Sequence, residues 1–338
     1  LFTSKQIKNF FLKHNRITII KKNLIDEIFK TQNKKKFPFY SIDKKIAGEN
    51  HIQKISKVSS YLKKNKLDYL YITAPENIAW LLNIRGYDNP NSPIPNCNLI
   101  LDKDKQFYLI VENIKSLKLV SEKKLKKKQI VDPKNFYNFF KKLKKGSISI
   151  DEQTCSLYFE KLLKERFKII KKEDPIYLLK SIKNKTEIKN MINTHILDGV
   201  ALTKFIFWIK KINKKKITEI EAAKKLEKFR KMEKNFLYPS FDTIAGSGKN
   251  GAIVHYRANK KSCRILKKKD IFLCDSGGQY KYGTTDVTRT ISFSNQKQSV
   301  KDIFTKVLKG HIAVATTNIN KDDTGKKIDR RARKFLKE

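Results

Sequence analysis

Acidic residues are scarce in this chain: 33 Asp and Glu stand against 76 Lys and Arg, a formal net charge of +43 over 338 residues. So large an imbalance suits a protein that binds polyanions. The pattern argues otherwise, because the positive residues are overwhelmingly Lys, scattered through every segment alongside abundant Asn and Ile. These three residues share A/T-rich codons, so a nucleotide bias accounts for all of them at once. Surfaces that read phosphate favour the planar fork of Arg and gather charge on one face. Here Lys34–Lys36, Lys123–Lys128 and Lys141–Lys145 fall in unrelated segments. The expectation is no specific nucleic-acid partner, only salt-sensitive adhesion to polyanions. Cysteine is also sparse, and Cys97, Cys155, Cys263 and Cys274 form no CxxC pair, which points to a reducing, cytoplasmic compartment. No apolar run approaches membrane-spanning length. The chain opens on Leu1 rather than Met, so the lack of a secretion signal carries little weight.

Two aspartates eleven residues apart, Asp275 and Asp286, are the most informative feature present. The apolar run Ile271-Phe-Leu-Cys274 leads into the first, and the alternating run Asp286-Val-Thr-Arg-Thr-Ile-Ser-Phe293 follows the second. Gly277 and Gly278 are expected to supply the turn. Strands folded back in this way bring two carboxylates onto one face at cross-strand distance, where bare charges repel and a hard divalent cation relieves the repulsion. Solvated turn aspartates are the ordinary alternative. Against it, Asp275 follows an apolar strand rather than opening the turn. Cys274, its neighbour on that strand, should point to the opposite, packed face. Upstream, Ala252-Ile-Val-His-Tyr256 reads as a second strand bearing His255.

The rest of the chain reads as helices and strands in a recognisable order. Ile52, Ile55, Val58, Tyr61 and Leu62 recur at helical spacing before the strand-like Tyr69-Leu-Tyr-Ile72. Further strands are expected at 97–101, 107–111 and 147–150, with helices inside 133–145 and 154–166. A long helix is expected over 186–211, with Ile188, Ile192, Ile196, Leu202, Ile206 and Ile209 on or near one stripe. Thr218-Glu-Ile-Glu221 is a capping box opening the next helix. Gly246-Ser-Gly-Lys-Asn-Gly251 formally satisfies GxGxxG, but a phosphate loop needs a helix N-terminus behind it and a strand is expected there.

Taken together, Gly246-Ser-Gly, Asn250-Gly-Ala-Ile-Val-His-Tyr-Arg257, Asp275-Ser-Gly-Gly-Gln-Tyr280 and Gly283-Thr-Thr-Asp-Val-Thr-Arg-Thr290 closely resemble the catalytic domain of Xaa-Pro aminopeptidases. These aminopeptidase P enzymes belong to the pita-bread metallopeptidase superfamily. Thr73-Ala-Pro-Glu-Asn-Ile-Ala-Trp-Leu-Leu-Asn-Ile-Arg85-Gly86 resembles the middle domain of the long, three-domain type. Asn23–Phe29, Glu221–Arg230 and Leu308–Val314 agree with it in order. The resemblance implies the tail of an N-terminal domain at 1–40, a creatinase N-terminal-like α/β domain at 41–174, and at 175–338 the first half of an α+β pita-bread catalytic domain.

The resemblance also implies the chemistry: two Mn²⁺ ions, Asp275 chelating one and Asp286 bridging both, and hydrolysis of the bond before a proline in second position of a peptide. It gives His255 a catalytic role, facing the metal cleft and contacting substrate. The family's remaining ligands, a histidine and two glutamates, come from later strands, so the chain is expected to be an internal piece of a longer protein, inactive by itself. His311 matches a helix residue that is no ligand. Arg85 and Trp80 are read as middle-domain packing with a structural ion pair, and His14, His51 and His195 are assigned to no site. The family is often homodimeric. Rival readings are a pita-bread domain kept only for binding, which the retained Asp275, Asp286 and His255 oppose, and a prolidase or methionine aminopeptidase, from which the long middle domain and Asn83-Ile-Arg-Gly86 point away.

Overall fold

A computed structural model describes residues 2–11, 15, 16, 18, 20, 24–28, 36–212, 217–320 and 322–337. His14, Ile17, Ile19, Asn23, Phe29, Lys34 and Lys35 lie outside these. The chain divides into two compact units, one of Leu1–Leu197, Asn235–Phe241 and Gly278–Thr285, the other of Asp198–Lys234, Asp242–Gly277 and Asp286–Glu338.

The first unit is built on a six-stranded mixed sheet. In chain order its main elements are helix α1 (His51–Lys64), strand β1 (Tyr69–Ile72), α2 (Pro75–Leu82), β2 (Asn98–Asp102), β3 (Phe107–Ile110), β4 (Ile130–Val131), α3 (Phe136–Lys142), β5 (Gly146–Ile150), α4 (Leu157–Lys164) and β6 (Phe167–Lys171). The strand order is β4-β3-β2-β1-β5-β6, with β1 antiparallel to β2 and parallel to β5. Strand alternation divides the side chains between two cores. Leu70 and Ile72 join Leu99 and Leu101 under α1 and α2, while Tyr69 and Tyr71 join Ile100, Ile148 and Ile150 under α3 and α4. Burial on both faces explains why β1 reads as an unbroken apolar run.

The second unit is smaller and follows the helix-then-strand order. The long helix α5 (Lys185–Lys211) enters it and α6 (Glu219–Lys231) follows, opened by the capping box in which Thr218 and Glu221 satisfy each other's backbone donors. After β7 (Phe236–Pro239) of the first unit come β8 (Ile244–Ser247), β9 (Ile271–Ser276), β10 (Gly278–Tyr280), which pairs with β7, and β11 (Val287–Ser292). Strands β8, β9 and β11 form an antiparallel sheet with β9 central, packed through Phe272, Cys274 and Ile291 on Leu202, Phe205 and Ile209 of α5 and Leu226 of α6. Helices α7 (Gln298–Ala315) and α8 (Gly325–Arg333) close the described chain, and α7 carries His311.

Two sequence expectations change. The buried stripe of α5 runs through Thr194, Asp198, Ala201, Phe205 and Ile209, whereas Ile188, Ile192 and Ile196 are exposed. Polar side chains sit on the stripe because each has a partner there, Asp198 in buried Arg230 and the Thr194 hydroxyl in the Asn190 carbonyl. Gly278 does not turn the chain either: it lies in β10, and the reversal comes at Lys281 and Tyr282, closed by the Tyr280 amide donating to the Gly283 carbonyl at 2.8 Å.

Candidate metal and substrate site

The face of β9 that carries Asp275 is set by alternation. Phe272, Cys274 and Ser276 turn into the core, so Leu273 and Asp275 must point the other way, where both are half-buried. Asp275 lies opposite Thr288 of β11, and the Thr288 hydroxyl donates to Asp275 Oδ1 at 2.8 Å. Asp286 immediately precedes β11, two residues before Thr288, and is exposed. A step of two along a strand returns to the same face, which makes Asp286 the diagonal neighbour of Asp275. Continued one residue past the start of β11, this register sets the two aspartates on the face opposite buried Phe272 and Cys274.

The Gly-rich segment lies over that same face. Gly246 of β8 is in register with Leu273, and a Cβ on Gly246 would meet the backbone of Gly251 at 2.8 Å. With no side chain there, the 3₁₀ turn Gly248–Ala252 packs onto the sheet. Gly248 takes φ +55°, a conformation glycine adopts without cost. The strand expected over 252–256 is absent: the 3₁₀ turn gives way to a tight turn in which the Tyr256 amide donates to the Ile253 carbonyl at 3.2 Å. His255 sits there at φ +54°, exposed. The close approach that Gly246 permits, not the β-propensity of Ile253 and Val254, goes with the local structure. GxGxxG here is a close backbone approach and carries no α-helix N-terminus behind it.

Among the described residues no third carboxylate, imidazole or thiolate joins Asp275 and Asp286. Their oxygens suit a hard divalent cation, and Thr288 fixes one oxygen of Asp275 while leaving the other available. The pair fits a share of a metal site, since such sites need several fixed ligands.

Behind the sheet lie residues that the sequence reading passed over. Arg230 of α6 donates to Asp198 and to Ser276 Oγ, the residue after Asp275. Glu219 is fully buried and accepts from Ser247, Asn250, Tyr256 and Arg264. The only sequence signal for either was a charged residue inside an amphipathic helix at a core phase. Arg85, expected in an ion pair, instead donates from Nη1 to the carbonyls of Ala79 and Ile84 at 3.1 and 2.9 Å. Trp80 Nε1 donates to Glu187 at 3.2 Å.

Two matches define the class. Residues 30–187 match the Creatinase/Prolidase N-terminal domain and residues 189–338 match Metallopeptidase family M24. A probable Xaa-Pro aminopeptidase P of Laccaria bicolor is 33% identical over 333 residues, covering 96% of this chain and 52% of its own length. The Xaa-Pro aminopeptidase ApepP of Drosophila melanogaster is 34% identical, covering 94% of this chain and 53% of its own. The crystal structure of an X-prolyl aminopeptidase from Caenorhabditis elegans, described as a cytosolic enzyme with a di-nuclear active site, superposes with a TM-score of 0.84 at 27% identity, covering 94% of this chain and 53% of that one. The chain belongs to the Xaa-Pro aminopeptidase P family of M24 metallopeptidases, with a creatinase-type N-terminal domain followed by part of the catalytic domain. It spans about half the length of these relatives. Membership implies a divalent metal. No helix among the described residues is long and apolar enough to cross a membrane.

Proposed function

We propose that this chain is part of a cytoplasmic aminopeptidase that removes the N-terminal residue from peptides with proline in second position. The observation that supports the reading most is the strand register, which sets Asp275 opposite Thr288, two residues beyond Asp286, with Gly246 and Gly251 in close approach at the start of the turn that leads to His255. Asp275 and Asp286 would hold divalent ions, Mn²⁺ by the family's precedent, and such ions supply Lewis acidity that activates water near neutral pH. Thr288 keeps Asp275 in one orientation by donating to Oδ1. His255, exposed and held at positive φ, would contact the substrate on the open side of that face and donate to charge developing on the carbonyl before proline. The fixed φ and tertiary amide of proline give a shaped pocket something to select.

A peptidase of this kind takes its histidine and two glutamate ligands from later strands, and the described residues supply only the two aspartates. The 338-residue polypeptide alone should therefore hold metal weakly and turn over no substrate. The test is release of the first residue from an Xaa-Pro peptide with Mn²⁺, by this polypeptide and by a chain extended to the relatives' length. The reading expects activity only from the extended chain and loss of it in Asp286→Asn. Turnover by the 338-residue chain, or activity that survives Asp286→Asn, refutes it. The cytoplasmic assignment draws on four cysteines, all free. A homodimer is the assembly the family suggests, and sedimentation tests it.

A further inference from the structure

We propose that Glu219 is the positioning residue of the His255 turn, its buried carboxylate pinning both ends of the segment and so setting where the imidazole faces. The inference rests on the reading of His255 as the substrate-facing residue. Glu219 is the first residue of α6 and is 0% exposed. Capping of that helix does not need it, because Thr218 and Glu221 already close the capping box. Its oxygens reach away from the helix instead. Oε1 accepts from the Ser247 amide at 2.7 Å and Asn250 Nδ2 at 3.1 Å. Oε2 accepts from the Arg264 amide at 2.9 Å and the Tyr256 hydroxyl at 2.9 Å.

Ser247 and Arg264 bracket the segment, while Asn250 and Tyr256 lie inside it. Tyr256, itself buried, directly follows His255. The Glu219 amide also donates to the Arg264 carbonyl at 3.0 Å, closing the far end twice. No Lys or Arg pairs with this carboxylate among the described residues, so its charge is held by aligned amides, a hydroxyl and the start of a 13-residue helix. One negative charge thus gathers four donors from a loop that has little apolar packing of its own, with Ile253 and Val254 exposed. A carboxamide cannot do the same, because its NH₂ would face donors.

The experiment compares the 338-residue chain with Glu219→Gln, reading thermal unfolding, the rate of tryptic cleavage after Lys249, Arg257, Lys260 and Lys261, and the Cε1–H resonances of the five histidines, with His255 assigned by His255→Gln. The expected result is a folded variant whose loop is cleaved roughly tenfold faster or more, and in which the His255 resonance shifts or broadens while His51 and His195 stay in place. A folded Glu219→Gln with unchanged loop cleavage and an unmoved His255 resonance overturns the proposal. Where Glu219→Gln does not fold, Tyr256→Phe decides: it removes one donor to the carboxylate and should move the same two readouts less, and no movement is again fatal. These readouts need no turnover. A chain extended to the relatives' length that stays inactive while the Glu219→Gln loop loosens refutes the functional reading alone, and an active extended enzyme with an indifferent loop refutes the pin alone.

Discussion

Arg230 grips Asp198 through two hydrogen bonds, Nε to Oδ1 at 2.6 Å and Nη2 to Oδ2 at 3.1 Å, with the side chains 2% and 1% exposed. The same Nη2 donates to Ser276 Oγ at 3.1 Å, directly behind the strand position of Asp275. The pair joins α5, α6 and β9 at a point where apolar side chains would otherwise be expected. Its net worth against a well-packed apolar replacement is small, but removing one partner strands a buried charge. Asp198→Asn should cost about 3–5 kcal/mol, and Ser276→Ala about 1–2 kcal/mol. Urea unfolding of the two variants measures both; an Asp198→Asn loss below that of Ser276→Ala contradicts the assignment.

Gly246 tests why the 3₁₀ turn lies where it does. A methyl group at this position would sit 2.8 Å from the Gly251 backbone, which cannot swing aside as a side chain could. Gly246→Ala should cost about 1–3 kcal/mol and loosen the turn before the sheet. Hydrogen exchange resolved along 246–256 and 271–276 checks the order in which protection is lost. Equal loss in both stretches would show that the methyl group disturbs the sheet itself.

The sequence yields its elements where burial is simple. In β1 every side chain is buried, so apolar content alone marks it, and the capping box at Thr218 and Glu221 is a local device that needs no tertiary partner. Phase was lost in α5, because its buried stripe holds Asp198, whose partner Arg230 lies 32 residues on. The 252–256 stretch misled for the opposite reason. Ile253 and Val254 have strand propensity, but Gly246, Gly248 and the donors drawn to Glu219 impose a turn. The outward face of Asp275 was legible because strand alternation buries Cys274 on the opposite side. The hub at Glu219 was not, since two of its four donors are backbone amides with no residue signature and the other two, on Asn250 and Tyr256, lie 31 and 37 residues on.

His255 and the aspartates should separate in a chain extended to the relatives' length. His255→Ala is expected to lower kcat about 10²–10³-fold with metal content nearly unchanged. Asp286→Asn should remove metal and activity together. Steady-state kinetics paired with metal analysis by mass spectrometry makes the comparison. If His255→Ala loses metal in proportion to activity, the residue belongs to the metal's own coordination and the substrate-facing role fails.

Protonation of His51 gives a prediction that needs no activity. Burial comes first and the Lys124 ammonium second in lowering its pKa from 6.5 to about 4. Lys124 Nζ lies 3.1 Å from Nδ1, so the neutral ring accepts there, and a second positive charge would meet both that ammonium and the start of α1. The folded state therefore resists a proton that the unfolded chain accepts from about pH 6.5 downward. More protons bound by the unfolded state means stability that falls as pH falls, and here the loss runs from about 6.5 to about 4. Asp174, whose carboxyl burial raises, works in the opposite sense at the lower end. The useful quantity is thus the difference between the parent chain and His51→Gln. Urea midpoints at pH 7.5, 5.5 and 4.5 should drop more steeply in the parent, and parallel curves would mean that the ring is protonated in the fold as readily as out of it.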